Sequence, residues 1–220
     1  LIDDLLMLSN VESSLFQNRT EKLGINTIIS KIKKNASILN TKGHKIKYQI
    51  DTKLNIYGAK KEIESAFQNL VTNAIRYTEE NGSIFISWGL INGLPIFEVR
   101  DTGNGIEKKH IDKITERFYR VDADRSRDTG GTGLGLSIVK NIIKQHNGEL
   151  NIASNIGKGS SFKLVFIKES IVKIYPSYIE IHSKENNFST EIYNITGQLV
   201  YSSVNANKID IQFLKNGIYL

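Results

Sequence analysis

Three glycines at every second position, in Gly131-Thr132-Gly133-Leu134-Gly135-Leu136, run without a break into a segment whose apolar residues Ile138, Val139, Ile142 and Ile143 recur at helical spacing. The stripe predicts an amphipathic helix from about Leu134 to Gln145 packed on a core, and the glycines predict a close backbone approach just before it. Backbone amides left exposed at such a helix start form a cradle for phosphate. A tight turn without ligand satisfies the same residues, so both readings stay open on the motif alone. It is not a Walker A loop. The spacing G-x-x-x-x-G-K-[ST] is absent, and Gly157-Lys158-Gly159-Ser160 fails because glycine follows its lysine.

Around this feature the chain alternates helical and strand periodicities. Leu1, Leu5 and Leu8, with Ile2 and Leu6, make one apolar stripe: the end of a core helix or half of a dimeric bundle. Residues Asn26 to Leu39 carry Ile28, Ile29, Ile32 and Ile38 at helical intervals, with Gly43 as a stop. Lys45 to Ile50 alternates as a half-buried strand, and Lys60 to Thr78 reads as a long helix with Ile63, Phe67, Leu70, Val71, Ala74 and Ile75 inward. Strands are expected over Ser83–Trp88 and Ile96–Asp101, joined through the seven residues from Gly89 to Pro95, and again over Glu149–Ser154 and Ser161–Ile167, with Asn147-Gly148 ending the preceding helix. Strands and helices mix without a strict βαβ repeat. The expected fold class is therefore α+β, a two-layer α/β sandwich with helices on one face of a mixed sheet.

Composition narrows the chemistry. The 220 residues include no cysteine, which excludes disulfides, thiolate metal sites and cysteine nucleophiles. No apolar run reaches the roughly 20 residues that span a bilayer and Leu1-Ile2-Asp3-Asp4 has no basic n-region of a signal peptide, so the chain as given reads as soluble. Its net charge of +6 lies wholly within residues 1–170, because the last 50 carry four basic and four acidic side chains. Such an excess suits an anionic partner: nucleotide, phosphoprotein or nucleic acid. The lack of an initial methionine and the abrupt end at Leu220 suggest a piece of a longer chain.

Three further segments carry candidate chemistry. Asp101-Thr102-Gly103-Asn104-Gly105 stands at a strand end, where a carboxylate beside glycines can accept the exocyclic amine of adenine; a plain Asp-Thr-Gly turn is the alternative. Asn69 and Asn73 lie four apart on the long helix, so both amides share a face. Amide oxygens are hard ligands suited to Mg²⁺, while buried asparagines that only crosslink would look the same. Arg76 and Tyr77 follow on nearly that face. Between the glycine motifs, the stretch from Glu116 to Asp128 holds four arginines and the pair Phe118-Tyr119, and reads as a solvated loop or as a lid over phosphates.

In this order the segments resemble the catalytic and ATP-binding domain of bacterial sensor histidine kinases, in the wider family that includes gyrase, the Hsp90 chaperones and MutL. Asn69-Leu-Val-Thr-Asn73-Ala-Ile-Arg76-Tyr77-Thr78 matches the N box, Asp101 to Gly105 the G1 box, Arg117-Phe118-Tyr119-Arg120 the F box, Gly131 to Leu136 the G2 box, and Gly157-Lys-Gly-Ser-Ser-Phe162 the closing glycine hairpin. The stretch from Phe118 to Lys140 looks most like the phosphate-regulon sensors. The resemblance covers roughly residues 1–168 and implies a Bergerat-type fold binding ATP with Mg²⁺. It implies Asp101 on the adenine amine, with Gly103, Gly105 and Ile106 shaping the pocket, and Tyr77, Phe118 and Arg125 near the nucleotide. Gly131, Thr132, Gly133, Leu134, Gly135 and Leu136 would serve the phosphates. Asn69 and Asn73 would hold the metal and, with Arg76, act in catalysis. ATP-hydrolysing relatives place a glutamate where Asn69 stands; an amide cannot be that base, which favours kinase over ATPase or a non-transferring nucleotide module.

The resemblance further implies a homodimer through helices of which residues 1–20 are the end, and a response-regulator receiver domain as partner. It implies no direct nucleic-acid binding, a cytoplasmic location, and membrane attachment only through segments upstream. None of His44, His110, His146 and His182 has the surroundings of the family's phosphoacceptor, so all four read as structural or exposed, with the acceptor upstream. The catalytic domain is expected over 21–168 and a β-rich tail over 171–220. That tail resembles the C-terminal sorting module of type IX secretion in Bacteroidetes, with Pro176-Ser177-Tyr178 where Pro-Asn-Pro is usual. An export tag conflicts with a kinase that uses cytoplasmic ATP: the tail is a β add-on that only looks like one, or two reading frames have been joined.

Overall fold

The structure, a computed structural model, describes residues 21–121, 132–166, 171–174, 178–182, 189–193, 199–204 and 208–210. The helix expected at the start of the chain, and Arg125 and Gly131 with the rest of 122–131, lie outside the described residues. By its contacts the chain divides into one unit over residues 1–167 and a second over 168–220.

In the first unit, β2 (Lys45–Ile50), β4 (Ser83–Ile91), β5 (Leu94–Asp101), β6 (Gly148–Asn155) and β7 (Gly159–Phe166) form a sheet in the order β2-β4-β5-β7-β6. Only β2 and β4 run parallel. Three helices, α1 (Ile25–Leu39), α2 (Lys60–Tyr77) and α4 (Gly135–Gln145), make the second layer, so the expected two-layer sandwich is present. A short antiparallel ribbon, β1 (Glu21–Gly24) with β3 (Asn55–Gly58), and a single turn, α3 (Lys108–Ile111), complete it.

Alternation on the strands and 3.6-residue spacing on the helices turn one face of each element to a common core. Ile84, Ile86 and Trp88 of β4, Phe97 and Val99 of β5, and Phe162 and Leu164 of β7 meet Phe67, Leu70 and Val71 of α2 and Ile138 and Ile142 of α4. At its centre Phe67 stacks on Phe97, centroids 3.7 Å apart and planes within 3°, while Trp88 meets Phe166 edge-on at 5.8 Å. Each such ring removed from water stabilises the fold by about 1.5–3 kcal/mol.

Two expectations need correction. Ile38, counted with the apolar residues at helical intervals, does not share their buried face and is 67% exposed. It follows the buried Ala36 by two residues, about 200° around the helix, and so falls on the opposite face. The seven-residue link between β4 and β5 contracts to Asn92-Gly93, whose φ angles of 51° and 77° suit a mirror-image hairpin turn, and pairing continues through Ile91–Leu94 and Leu90–Pro95. Pro95 fits there because the β7 pairing begins only at Ile96, so its missing N–H costs no ladder bond.

The second unit has β8 (Ile171–Ile174), β9 (Tyr178–His182) and β12 (Lys208–Asp210) in an antiparallel sheet of order β12-β9-β8, and a separate antiparallel pair of β10 (Ser189–Tyr193) with β11 (Leu199–Val204).

Candidate functional site

The helices and the sheet leave a cavity of about 730 Å³ between α2, the end of β5 and the start of α4. α2 contributes Asn69, Asn73, Arg76 and Tyr77, which lie on the flank of its buried stripe where a side chain reaches both protein and solvent. Asn69 is oriented by its own helix: Nδ2 donates to the Ser65 carbonyl at 3.0 Å, which leaves Oδ1 as its acceptor. The helix end is fastened from the α1–β2 loop. Lys42 Nζ donates to the carbonyls of Arg76 and Thr78 at 3.1 and 3.3 Å, and His44 Nε2 donates to that of Thr78 at 3.0 Å.

Across the cavity, β5 delivers Asp101 as it ends, followed by Gly105 and Ile106 on the cavity wall. The Asp101 residue is 6% exposed. Its Oδ1 accepts from the Gly103 amide at 2.8 Å and the Ser160 amide at 3.2 Å, while Oδ2 takes no bond from the described residues. Burial pushes the carboxyl above its ordinary pKa, and those two amides partly offset the rise. A buried acid with one oxygen saturated and the other open presents a directional acceptor to a ligand donor.

Thr132, Gly133, Gly135 and Leu136 form the remaining wall, where α4 starts. Two of these glycines allow a close approach. Gly133 has φ +71° and lies against the backbone of Phe118, whose amide donates to the Gly133 carbonyl at 3.0 Å. A Cβ on Gly135 would stand 2.7 Å from Asn69 Oδ1, so the glycine lets the α4 start and the Asn69 amide share one corner.

Eleven expected positions thus line one cavity, and three described ones do not. Leu134 is fully buried in the core, Phe118 is 61% exposed, and Gly103 is buried with its α-carbon against the Tyr77 carbonyl. Tyr119, one of the aromatic pair of the expected lid, is on the wall, as are residues that sequence reasoning gave no role: Lys42, Ile114, Ser160 and Phe162. Tyr119 and Ser160 lie inside motifs already noted, whereas Lys42 carries no sequence signal. The histidines have defined places. His146 Nε2 accepts from the Ala59 amide at 3.0 Å, its Nδ1–H donates to the Ile142 carbonyl at 2.8 Å, and burial lowers its pKa; His110 Nδ1 lies 2.7 Å from the Tyr119 hydroxyl.

Known proteins place this arrangement. Residues 58–170 match the model of the "Histidine kinase-, DNA gyrase B-, and HSP90-like ATPase" family, and residues 173–220 match that of a "Secretion system C-terminal sorting domain". The chain is 37% identical over 174 residues to the phosphate regulon sensor protein PhoR of Pseudomonas aeruginosa, covering 79% of this chain and 39% of that protein. It is 40% identical over 151 residues to PhoR of Haemophilus influenzae, covering 69% and 36%. The chain therefore spans less than two fifths of the length of these relatives. Among solved structures the mycobacterial sensor histidine kinase MprB shares the fold, with a TM-score of 0.59 at 20% identity over 66% of this chain and 95% of that one. With a matched region that takes in the α2 asparagines, Asp101 and the glycine-rich start of α4, the chain belongs to the histidine kinase, DNA gyrase B and HSP90-like ATPase family.

Proposed function

We propose that residues 21–168 are the catalytic, ATP-binding domain of a two-component sensor histidine kinase, passing the γ-phosphoryl group of ATP to a histidine of the dimerisation helices for relay to a response-regulator aspartate. The observation that carries this is one cavity with a buried, half-saturated acid at one end and a glycine-lined helix start beside a helix-borne amide at the other. Asp101 Oδ2 accepts the adenine amine, with Ile106 against the base. The backbone at Gly133 and Gly135, with Arg76, receives the phosphates.

The donor set fits Mg²⁺. Asn69 has its Nδ2 engaged, its Oδ1 takes no bond from the described residues, and Asn73 lines the same wall. Amide oxygens completed by water and substrate phosphates make an ordinary Mg²⁺ shell. When bound, the ion neutralises phosphate charge. Asn69 cannot take a proton from water, so the γ-phosphate is kept for a protein nucleophile. The new bond joins phosphorus to an imidazole nitrogen, the bond to the β-phosphate oxygen breaks, and ADP leaves with the electron pair. The chain's contribution is positioning and charge complementarity rather than covalent chemistry.

Partners follow from that reading: a receiver domain, and a second copy of the chain. The ATP supply places the domain in the cytoplasm, and no helix among the described residues is long and apolar enough to cross a membrane. The sorting-domain match at 173–220 points the other way, and export of an active kinase domain would deprive it of substrate.

Two measurements test the proposal. Calorimetry with a non-hydrolysable ATP analogue should give Mg²⁺-dependent binding that Asn73→Ala weakens at least ~10-fold, as expected for a lost ligand to a charged ion; unchanged affinity removes Asn73 from the site. Incubation with γ-labelled ATP should leave this chain unlabelled, and addition of the upstream acceptor helix should yield an acid-labile phosphohistidine. Rapid ATP turnover without an acceptor would favour the ATPase reading instead.

A further inference from the structure

His110 is hydrogen-bonded to a residue of the cavity wall. His110 belongs to α3, the single turn after the Asp101–Gly105 segment, and is half-buried. Its carbonyl accepts from the amides of Lys113 and Ile114, each at 2.9 Å, which fixes the backbone of the turn. From there Nδ1 meets the Tyr119 hydroxyl at 2.7 Å, with ring centroids 6.1 Å apart. Tyr119 is half-buried, packs on the core and lines the cavity.

Tyr119 also stands at a junction. Its neighbour Phe118 has φ +63°, uncommon for an aromatic residue, and donates its amide to the Gly133 carbonyl, so the strand of backbone entering the 122–131 segment is tied to the one leaving it. Ile114, buried on the same turn, lines the cavity beside Tyr119. The Tyr119 ring thus forms a face of the cavity beside a backbone junction fixed by the Phe118–Gly133 bond.

We propose that His110 is a positioning residue for the nucleotide: its Nδ1 holds the Tyr119 hydroxyl and so fixes the ring as a wall of the cavity. This rests on the reading of the cavity as a nucleotide site. His110 itself touches no ligand; it acts through Tyr119. A phenol held at one end is confined to one rotamer, and the ligand need not order the ring on binding. Either tautomer serves, because the phenol can donate to a bare Nδ1 or accept from a protonated one.

A double-mutant cycle on the whole chain tests it, with the dissociation constant of a non-hydrolysable ATP analogue in Mg²⁺ as readout. His110→Leu and Tyr119→Phe should each weaken binding about fivefold, the scale of one neutral hydrogen bond. The double variant should be no weaker than the worse single one. His110→Asn, whose amide reaches the place of Nδ1, should restore binding to within about twofold, a rescue that a general packing role would not give. Thermal midpoints of the nucleotide-free variants, measured alongside, should lie close together. If the parent binds and the two losses multiply, or His110→Leu binds like the parent, or His110→Asn is no better than His110→Leu, the positioning role is refuted. A parent chain that binds no adenine nucleotide refutes the reading of the cavity itself, and the positioning role with it.

Discussion

Replacing Asp101 with asparagine separates the chemistry of the site from the fold that carries it. In the parent, Oδ1 is saturated by the Gly103 and Ser160 amides at 2.8 and 3.2 Å, and Oδ2 is the atom left for a ligand. The introduced side-chain amide can keep its oxygen on the same two backbone amides, which forces its nitrogen, a donor, into the place of the open acceptor. Facing the adenine amine, donor would then oppose donor. A hydrogen bond to a charged group contributes about 1.5–3 kcal/mol, so Asp101→Asn should lower affinity for an ATP analogue by ~10- to 150-fold. Guanine, which offers a carbonyl at that position, should bind the parent weakly and lose little on substitution. Acid gives the same discrimination without mutation. Burial raises the folded-state pKa of Asp101, so on acidification its carboxylate is protonated, and the acceptor lost, at a higher pH than an ordinary aspartate would require. The sign for stability is opposite. A carboxyl whose folded pKa is raised favours the folded state below its unfolded pKa, and that contribution is lost as pH rises through the folded value. Affinity should therefore fall on mild acidification while this group does not weaken the fold. Calorimetry across pH, with Asp101→Asn as the baseline carrying the same ligand protonation, reads the difference. If the variant binds within about twofold of the parent, or the two pH profiles coincide, the acceptor argument is wrong.

Gly135→Ala should weaken nucleotide binding several-fold while leaving the thermal midpoint level or higher, because alanine improves helix propensity by up to ~1 kcal/mol but its Cβ would displace Asn69 Oδ1 from 2.7 Å away. His146, whose pKa is lowered by burial, should make the fold acid-sensitive: its contribution is complete above the ordinary histidine value of 6.5 and is lost as pH falls from there through the lowered folded value. His146→Gln should flatten that part of a melting-temperature profile; an unchanged profile would assign the acid sensitivity elsewhere. Deleting residues 171–220 should leave ATP-analogue affinity within about threefold, or ~0.7 kcal/mol, by calorimetry; a soluble truncated chain that no longer binds would place tail residues in the site.

How much of this was legible in the sequence follows from the range of the forces involved. Long elements were readable because each repeats one local signal many times: α2 buries Ile63, Phe67, Leu70 and Ala74 at helical steps, and β4 buries Ile84, Ile86 and Trp88 at alternate ones. The ribbon of β1 and β3 escaped because four-residue strands contain too few alternations to rise above loop composition, and their pairing of Leu23 with Ile56 joins residues 33 apart. Motif residues came out on one cavity because the motifs name positions whose neighbours are fixed by chain geometry, such as Asn69 and Asn73 one helical turn apart. Leu134 shows the limit of that reasoning. It sits between two glycines on the cavity wall, yet its side chain enters the core at 0% exposure, since adjacent residues at a helix start face different directions. His110 and Lys42 show the other limit. Their roles depend on a Tyr119 hydroxyl nine residues away and on α2 carbonyls more than thirty residues away, contacts that exist only after the layers have packed. Local periodicity carries no information about such partners, so a histidine read from the sequence as structural or exposed takes its meaning from a side chain that the fold brings to it.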